Sequence, residues 1–410
     1  MIINATRLQQ HFEAMSLIGK IGETGTCRPA HSPLEKEAFE LAASWMQQAG
    51  MQTHVDNFGN LIGRLEGTDP SLPVLIMGSH LDSQPYGGRF DGVAGVLCAI
   101  EVVKTISENN IEHKQSIEVI SFADEEGWRF NKGLFGSRGI LGKLEEGELQ
   151  RTDKDGITRE QALKDFGCDI SKFKDSEYKP SGIFCFLELH IEQGPVLDTG
   201  GKPIGVVSGI SGPLWLTVKL KGMAGHAGSV PMPLRKDALL GAAEITLALN
   251  EIVTQVPGAP TVGTVATMNV FPASRNIIAE EVSFTIDLRD IDLQRRNLYE
   301  KQLREKITAI TEKHSLSYEI MEDTNSEPRY CAGWIKEIIH EQCKALQLDA
   351  PELMSGPFHD AMALSYACDY AMIFVRCKDG ISHNPLEYAS YEDLAKGAQV
   401  MYGTVLEILK

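Results

Sequence analysis

Apolar positions along the chain fall into two rhythms, and the change between them marks the domain plan. Ser32-Pro33 precedes a run with Phe39, Ala42, Ala43 and Met46 on one helical face, closed by Gly50. Met51–Asp56 and Leu61–Leu65 flank Asn57-Phe58-Gly59-Asn60, a turn between strands. Val74-Leu75-Ile76-Met77, Ile117–Phe122 and Phe184–Leu189 are short, nearly continuous apolar runs, the pattern of strands covered on both faces. A helix over about Val93–Ile106 separates the first two. Strands separated by helices predict a mainly parallel sheet with helices on both sides, an α/β fold.

Around Gly212 the rhythm changes. Leu214–Leu220 alternates apolar and polar residues, a half-exposed strand. Helices over about Lys236–Val256 and Leu293–Thr311 and strands at Thr261–Asn269 and Val282–Asp287 follow. Together they predict a compact α+β insert. The first rhythm then resumes with a helix at Ala332–Leu346, a strand at Met372–Val375 and a helix at Tyr391–Leu409. The expected plan is a discontinuous catalytic domain (1–212 and 326–410) interrupted by an inserted lid or dimerisation domain (213–325). A chain of 410 residues is too long for one ordinary core, which agrees with that division.

Composition narrows the partners. A net charge of −17 opposes binding to nucleic acid phosphates, and its plainest meaning is solubility. No run approaches the roughly 20 apolar residues that span a bilayer. The start, Met1-Ile2-Ile3-Asn4, has no charged-then-apolar leader. A cytoplasmic location without membrane contact is expected. The eight cysteines are scattered, with no C-x-x-C pair, and several sit in apolar runs such as Val96-Leu97-Cys98-Ala99-Ile100. That distribution suits buried free thiols better than disulfides or a thiolate metal site.

In an open α/β sheet, ligands gather beyond the carboxyl ends of the strands. Four segments place metal-capable side chains there: Val74–Ser79 leads into His80-Leu81-Asp82, Ile117–Ala123 into Asp124-Glu125-Glu126, Phe184–Leu189 into His190, and Met372–Val375, through a short loop, into Ser382-His383. Asp91 stands at the mouth of the helix that follows His80. A single histidine after a strand is more often a hydrogen-bonded structural residue. Five imidazoles and carboxylates clustered without a cation would instead suffer desolvation and repulsion.

These segments carry a family resemblance along nearly the whole chain. Gly78-Ser79-His80-Leu81-Asp82-Ser83, Gly87-Gly88-Arg89-Phe90-Asp91-Gly92, Asp124-Glu125-Glu126-Gly127-Trp128-Arg129-Phe130, Glu188-Leu189-His190-Ile191-Glu192-Gln193-Gly194, His226-Ala227-Gly228, Pro231-Met232 and Ser382-His383-Asn384-Pro385 occur in order. Together they resemble the dinuclear metal amidohydrolases: N-carbamoyl-L-amino acid hydrolases, allantoate amidohydrolases and β-ureidopropionases, within the aminoacylase and carboxypeptidase G superfamily.

The resemblance implies that Asp91 bridges two divalent metals, with His80 and His190 completing one position and Glu126 and His383 the other. Nitrogen and oxygen ligands without thiolate suit Zn²⁺, and also Mn²⁺, Co²⁺ or Ni²⁺. Asp82 resembles the carboxylate that orients a ligating imidazole, the bland alternative being a helix cap. With Glu126 on the metal, Glu125, pointing the other way on an extended backbone, is free to act as general base. His226 is implied as donor to the oxyanion of the tetrahedral intermediate. In relatives that histidine can come from a partner subunit, so a homodimer is expected. Asn276 and Arg289 match the pair that holds the substrate carboxylate, a role suited to a guanidinium fork, although a strand-end Arg is commonly a surface ion pair. Gln193 is expected on the ureido group, and Gly356 offers backbone contact.

One departure bears on specificity. Relatives usually read Ser-Gly-Ala-Gly-His-Asp-Ala where this chain has Ser355-Gly356-Pro357-Phe358-His359-Asp360-Ala361. Phe358 adds bulk there and Pro357 stiffens the loop. The expected reaction is hydrolysis of the ureido C–N bond of N-carbamoyl-L-amino acids. The apolar Ser211-Gly212-Pro213-Leu214-Trp215 favours those substrates over allantoate. An aminoacylase or dipeptidase shares the metal core but usually has a carboxylate in place of His190. A scaffold protein that lost its chemistry would not need Glu125 together with all five ligands.

Overall fold

The computed structural model describes residues 2–410, and the chain divides into two compact units, Met1–Ser208 with Cys331–Lys410, and Gly209–Tyr330. In the first unit the strands Ile117–Phe122, Val74–His80, Ile183–Ile191 and Asp369–Val375 are neighbours and run parallel. Every residue of Val74–His80 and Ile117–Phe122 is buried. That explains their nearly continuous apolar sequence, since a strand covered on both faces has no solvent side to make polar.

The expectation of a mainly parallel sheet is corrected: the sheet is mixed. The hairpin Gln52–Val55/Leu61–Leu65 adds antiparallel to Ile117–Phe122, and Ile204–Ile210 adds antiparallel to Asp369–Val375. Connection length accounts for the hairpin, because the tight turn at Asn57–Asn60 can join only antiparallel strands. Helix Pro33–Gln48 begins as anticipated, with the Ser32 hydroxyl accepting from Glu35 N–H and Pro33 in the first turn. The helix Val93–Glu108 is buried along nearly its whole length.

The second unit is a four-stranded antiparallel sheet in the order Val262–Phe271, Glu281–Asp290, Gly212–Lys221, Ser317–Asn325. It carries the helices Ala238–Val253 and Leu293–Lys313. Its core is the inward set Leu214, Leu216, Val218 and Leu220 against Val282, Phe284, Ile286 and Leu288, with Ile245, Leu249, Leu303 and Ile307 from the helices. The strand Ser317–Asn325 went unread in the sequence. No residue of it is fully buried, and Glu319, Glu322 and Asp323 lend it the polar character of a protected sheet edge. All eight cysteines are free, six of them buried. Among the described residues no helix is long and apolar enough to cross a membrane.

Candidate metal centre

The first unit brings five candidate ligands together. His80 closes its strand, while His190 lies one residue inside the end of Ile183–Ile191, paired with Phe374, and not beyond the strand end as the sequence suggested. His190 Nε2 lies 3.1 Å and His80 Nε2 3.5 Å from Asp91 Oδ1. On the other oxygen, His383 Nε2 lies 3.2 Å from Asp91 Oδ2 and 3.6 Å from Glu126 Oε2. One set, His80, Asp91 and His190, and a second, Asp91, Glu126 and His383, each have ligand atoms within 4.8 Å of one another. Asp91 belongs to both, one oxygen to each.

The remaining ring nitrogens set which nitrogen of each imidazole faces the cluster. His190 Nδ1 is 2.8 Å from the Ile191 carbonyl and His80 Nδ1 is 3.1 Å from the Asp82 carbonyl. A carbonyl only accepts, so in each ring Nδ1 carries a hydrogen and Nε2 is the nitrogen turned toward Asp91, which it hydrogen-bonds and from which a bound cation would displace the proton. This donor set fits divalent cations. The Asp82 carboxylate is fully buried, 3.5 Å from His80 Nδ1, and accepts from Glu125 N–H at 3.3 Å and Glu126 N–H at 3.2 Å. It ties the His80 strand to the Glu125–Glu126 turn.

That turn corrects one expectation. The backbone after Phe122 is bent, with Asp124 at φ 51°, so Glu125 and Glu126 do not simply alternate on an extended segment. Both carboxylates reach the cluster, Glu125 Oε2 3.6 Å from His80 Nε2 and Glu126 Oε2 the same distance from His383 Nε2. The fully buried Arg159 is tied to the bend, its Nη2 donating to Asp124 Oδ2 at 2.6 Å.

Charge in the cluster is finely balanced. Burial opposes ionisation of Asp91, but hydrogen bonds from His190, His383 and His80 hold it well below the ordinary carboxylate range. Burial, reinforced by the Asp91 charge, pushes Glu126 up to about 7, and burial raises Glu125 well above its usual value. The hydrogen bond to Asp91 lifts His383 to about 9. Protons thus stand where positive charge is needed, and a bound cation would displace them.

The Gln193 side chain donates from Nε2 to Asp91 Oδ2 at 2.7 Å, and its Oε1 is buried without a hydrogen-bond partner. Gly356 lies in the loop that links Ser355 to His359, where Ser355 Oγ is 2.8 Å from His359 Nε2.

His226, Asn276 and Arg289 belong to the second unit. His226 bridges to Ile277 and Ala227 N–H donates to the Asn276 carbonyl, so the His226 and Asn276 segments run side by side. Gly228 N–H donates to His226 Nδ1 at 3.1 Å, which leaves the hydrogen of the neutral ring on Nε2. Arg289 forks onto Asp287, with Nη2 2.8 Å and Nε 2.9 Å from its carboxylate oxygens, and lies 5.9 Å from the Trp215 ring.

Residues 76–407 match the profile of Peptidase family M20/M25/M40. The chain belongs to that family. Within it, this chain is 46% identical over 407 residues to an N-carbamoyl-L-amino-acid amidohydrolase of Pseudomonas sp. (strain NS671), covering 99% of this chain and 98% of that one. It is 36% identical over 408 residues to an allantoate deiminase of Arabidopsis thaliana, covering 92% of this chain and 78% of the relative. The crystal structure of a hydantoinase/carbamoylase family amidase from Burkholderia ambifaria matches with TM-score 0.92 at 34% identity, over 100% of this chain and 98% of that one.

Three buried residues of this M20/M25/M40 chain were missed in the sequence. Glu188 and His359 form a third ligand-capable group with His190, and Glu387 accepts from the backbone beside Asp91. Glu188 accepts from Ser79 Oγ at 2.7 Å from within a strand that otherwise reads as almost wholly apolar. Its signal was a lone acidic residue inside a buried run, which has to be satisfied by something nearby.

Proposed function

We propose that this chain hydrolyses the ureido C–N bond of N-carbamoyl-L-amino acids, consuming one water and yielding ammonia, carbon dioxide and the free amino acid. The observation that carries this reading is the convergence of His80, Glu126, His190 and His383 around the two oxygens of Asp91. The similarity to an N-carbamoyl-L-amino-acid amidohydrolase over almost all of both chains supports the substrate class. Two divalent ions, Zn²⁺ or alternatively Mn²⁺, Co²⁺ or Ni²⁺, would supply Lewis acidity at the ureido carbonyl and make water a stronger nucleophile at neutral pH.

The side chains do the rest. Glu125 accepts the proton of the attacking water and returns it to the departing nitrogen, a task matched to a carboxylate that burial makes more basic. Asp82 holds His80 and the Glu125–Glu126 turn in register for that transfer. His226, with its hydrogen on Nε2, donates to the oxyanion as the carbonyl becomes tetrahedral. Asn276 and Arg289 hold the carboxylate end of the substrate, which exchanges with or joins Asp287 on the guanidinium. Gln193, through its unpartnered Oε1, and the Gly356 backbone hold the ureido group. In this reading the second unit serves as lid and dimerisation domain of a cytoplasmic homodimer, and sizing in solution tests the assembly.

Allantoate is the second substrate to weigh, on the 36% identity to an allantoate deiminase. The deciding experiment is ammonia release from a panel of N-carbamoyl-L-amino acids and allantoate, with Zn²⁺, Mn²⁺ and Co²⁺ supplied separately. Preference for a carbamoyl-amino acid is expected. Turnover of allantoate alone would move the assignment, and inertness toward every ureido compound in a metal-replete preparation would end it.

A further inference from the structure

Glu387 lies four residues after His383 and is 1% exposed. Its Oε1 accepts from two consecutive backbone groups, Phe90 N–H at 2.9 Å and Asp91 N–H at 3.1 Å. Its Oε2 accepts from Ser382 Oγ at 2.9 Å. The same hydroxyl lies 3.1 Å from Asp91 Oδ2. One carboxylate therefore joins two loops almost 300 positions apart in sequence, the one that carries Asp91 and the one that carries His383. The chain makes room for it at Gly88, where any Cβ would overlap the Glu387 side chain.

The two groups of metal-capable residues depend on such a link unequally. His80 and His190 are fully buried in hydrogen-bonded strands, and the sheet holds them. His383 is about half exposed (49%) on a loop, with φ 53°, and stays 3.2 Å from Asp91 Oδ2 only while that loop stays put. We infer that Glu387 is a positioning residue that fixes the separation of Asp91 and His383, and so governs cation binding at Asp91–Glu126–His383 without equal effect at His80–Asp91–His190. The inference rests on the two-ion reading above. Glu387 touches neither substrate nor reacting atoms. It acts through Ser382 and the Phe90–Asp91 backbone.

The test counts ions and does not need turnover. Full-length protein stripped with chelator is titrated with Mn²⁺, and free and bound ion are separated by electron paramagnetic resonance. The unaltered protein is expected to take two ions. Glu387→Ala is expected to keep one at unaltered affinity and to bind the other at least about tenfold more weakly, the range found when partners behind metal ligands are removed. His383→Ala should weaken the same ion. Glu387→Gln should retain most of that affinity, because its amide oxygen can still accept from Phe90 and Asp91 N–H while Ser382 turns its hydrogen to Asp91. Should Glu387→Ala fail to fold, Ser382→Ala removes only the Oε2 link and is expected to weaken the same ion more mildly.

A folded Glu387→Ala that binds both ions normally, or loses both equally, overturns the inference while leaving the two-ion reading intact. Unaltered affinity in Ser382→Ala, where that variant is the one measured, overturns it as well. An unaltered protein that takes fewer than two ions overturns the reading itself, and the inference falls with it.

Discussion

Gly92 offers the sharpest test of how the backbone holds the cluster. It caps the helix Val93–Glu108 at φ 67°, in the left-handed region, and its N–H points to His190 Nε2 at 3.3 Å. A Cβ at this position would lie 2.5 Å from both Cγ and Nδ1 of His80. Ordinary contact begins near 3.4 Å, so the ring or the helix start would have to move by about 0.9 Å. His80 is 2% exposed and has no room to retreat. Metal ligation tolerates displacements of only about 0.2 Å.

Left-handed backbone costs alanine about 1–2 kcal/mol, and overpacking a filled site costs about 1–3 kcal/mol. Gly92→Ala should therefore lose roughly 2–5 kcal/mol of folding stability with chelator present. The loss is measured by urea denaturation. Its affinity for the His80–Asp91–His190 ion should fall by more than about 100-fold, beyond the usual effect of changes behind the ligands. A variant with unaltered stability and two tightly held ions would refute the assignment of His80 to the metal, or the reason given for the glycine.

The other predictions concern chemistry and charge. Glu125→Gln should keep its metal content yet lose about 10²–10⁴ in kcat, the usual worth of a general base; near-normal kcat in ammonia release would remove Glu125 from that role. Arg289→Ala should raise KM for carbamoyl-amino acids with a smaller effect on kcat, and an unchanged KM would leave Arg289 as the ion-pair partner of Asp287 alone. Burial, and then the nearby Arg159 charge, lower the His31 imidazole to about 3. The unfolded chain binds that proton near 6.5 and the folded chain refuses it, so this contribution is complete above pH 6.5 and lost as pH falls toward 3. The stability of His31→Asn should fall less steeply across that window, by up to about 1.4 kcal/mol per pH unit in chelator, and a parallel profile would contradict the buried neutral imidazole.

The sequence told most where a residue's environment is set by its immediate neighbours. Val74–His80 and Ile117–Phe122 read as covered strands because, Glu118 and His80 apart, every position is apolar or small, and every position proved buried. The candidate ligand motifs stood out for the same reason: His80 with Asp82, and Glu125 with Glu126, sit within a few residues of each other at strand ends. Legibility failed where a side chain's partner is supplied by a distant segment. Glu387 looks like a surface residue after Pro385, and only the approach of Phe90 and Asp91 turns it into a buried acceptor.

Sheet direction failed in a related way, since pairing depends on which strand arrives at an edge. Ile204–Ile210 has the composition of a parallel core strand and lies antiparallel to Asp369–Val375. The Ser317–Asn325 edge shows the converse, a strand held by backbone pairing to Gly212–Lys221 with too few buried side chains to leave a pattern. Periodicity reports burial and is blind to partners. A buried charge such as Glu188 or Glu387 is therefore the residue for which sequence says least and closure of the fold decides most. Here those charges stand directly behind the imidazoles and the aspartate that the proposed chemistry needs. The least legible residues then become the ones to mutate first, because each is tied into the candidate metal centre by a few identified hydrogen bonds, three to Glu387 and two to Glu188.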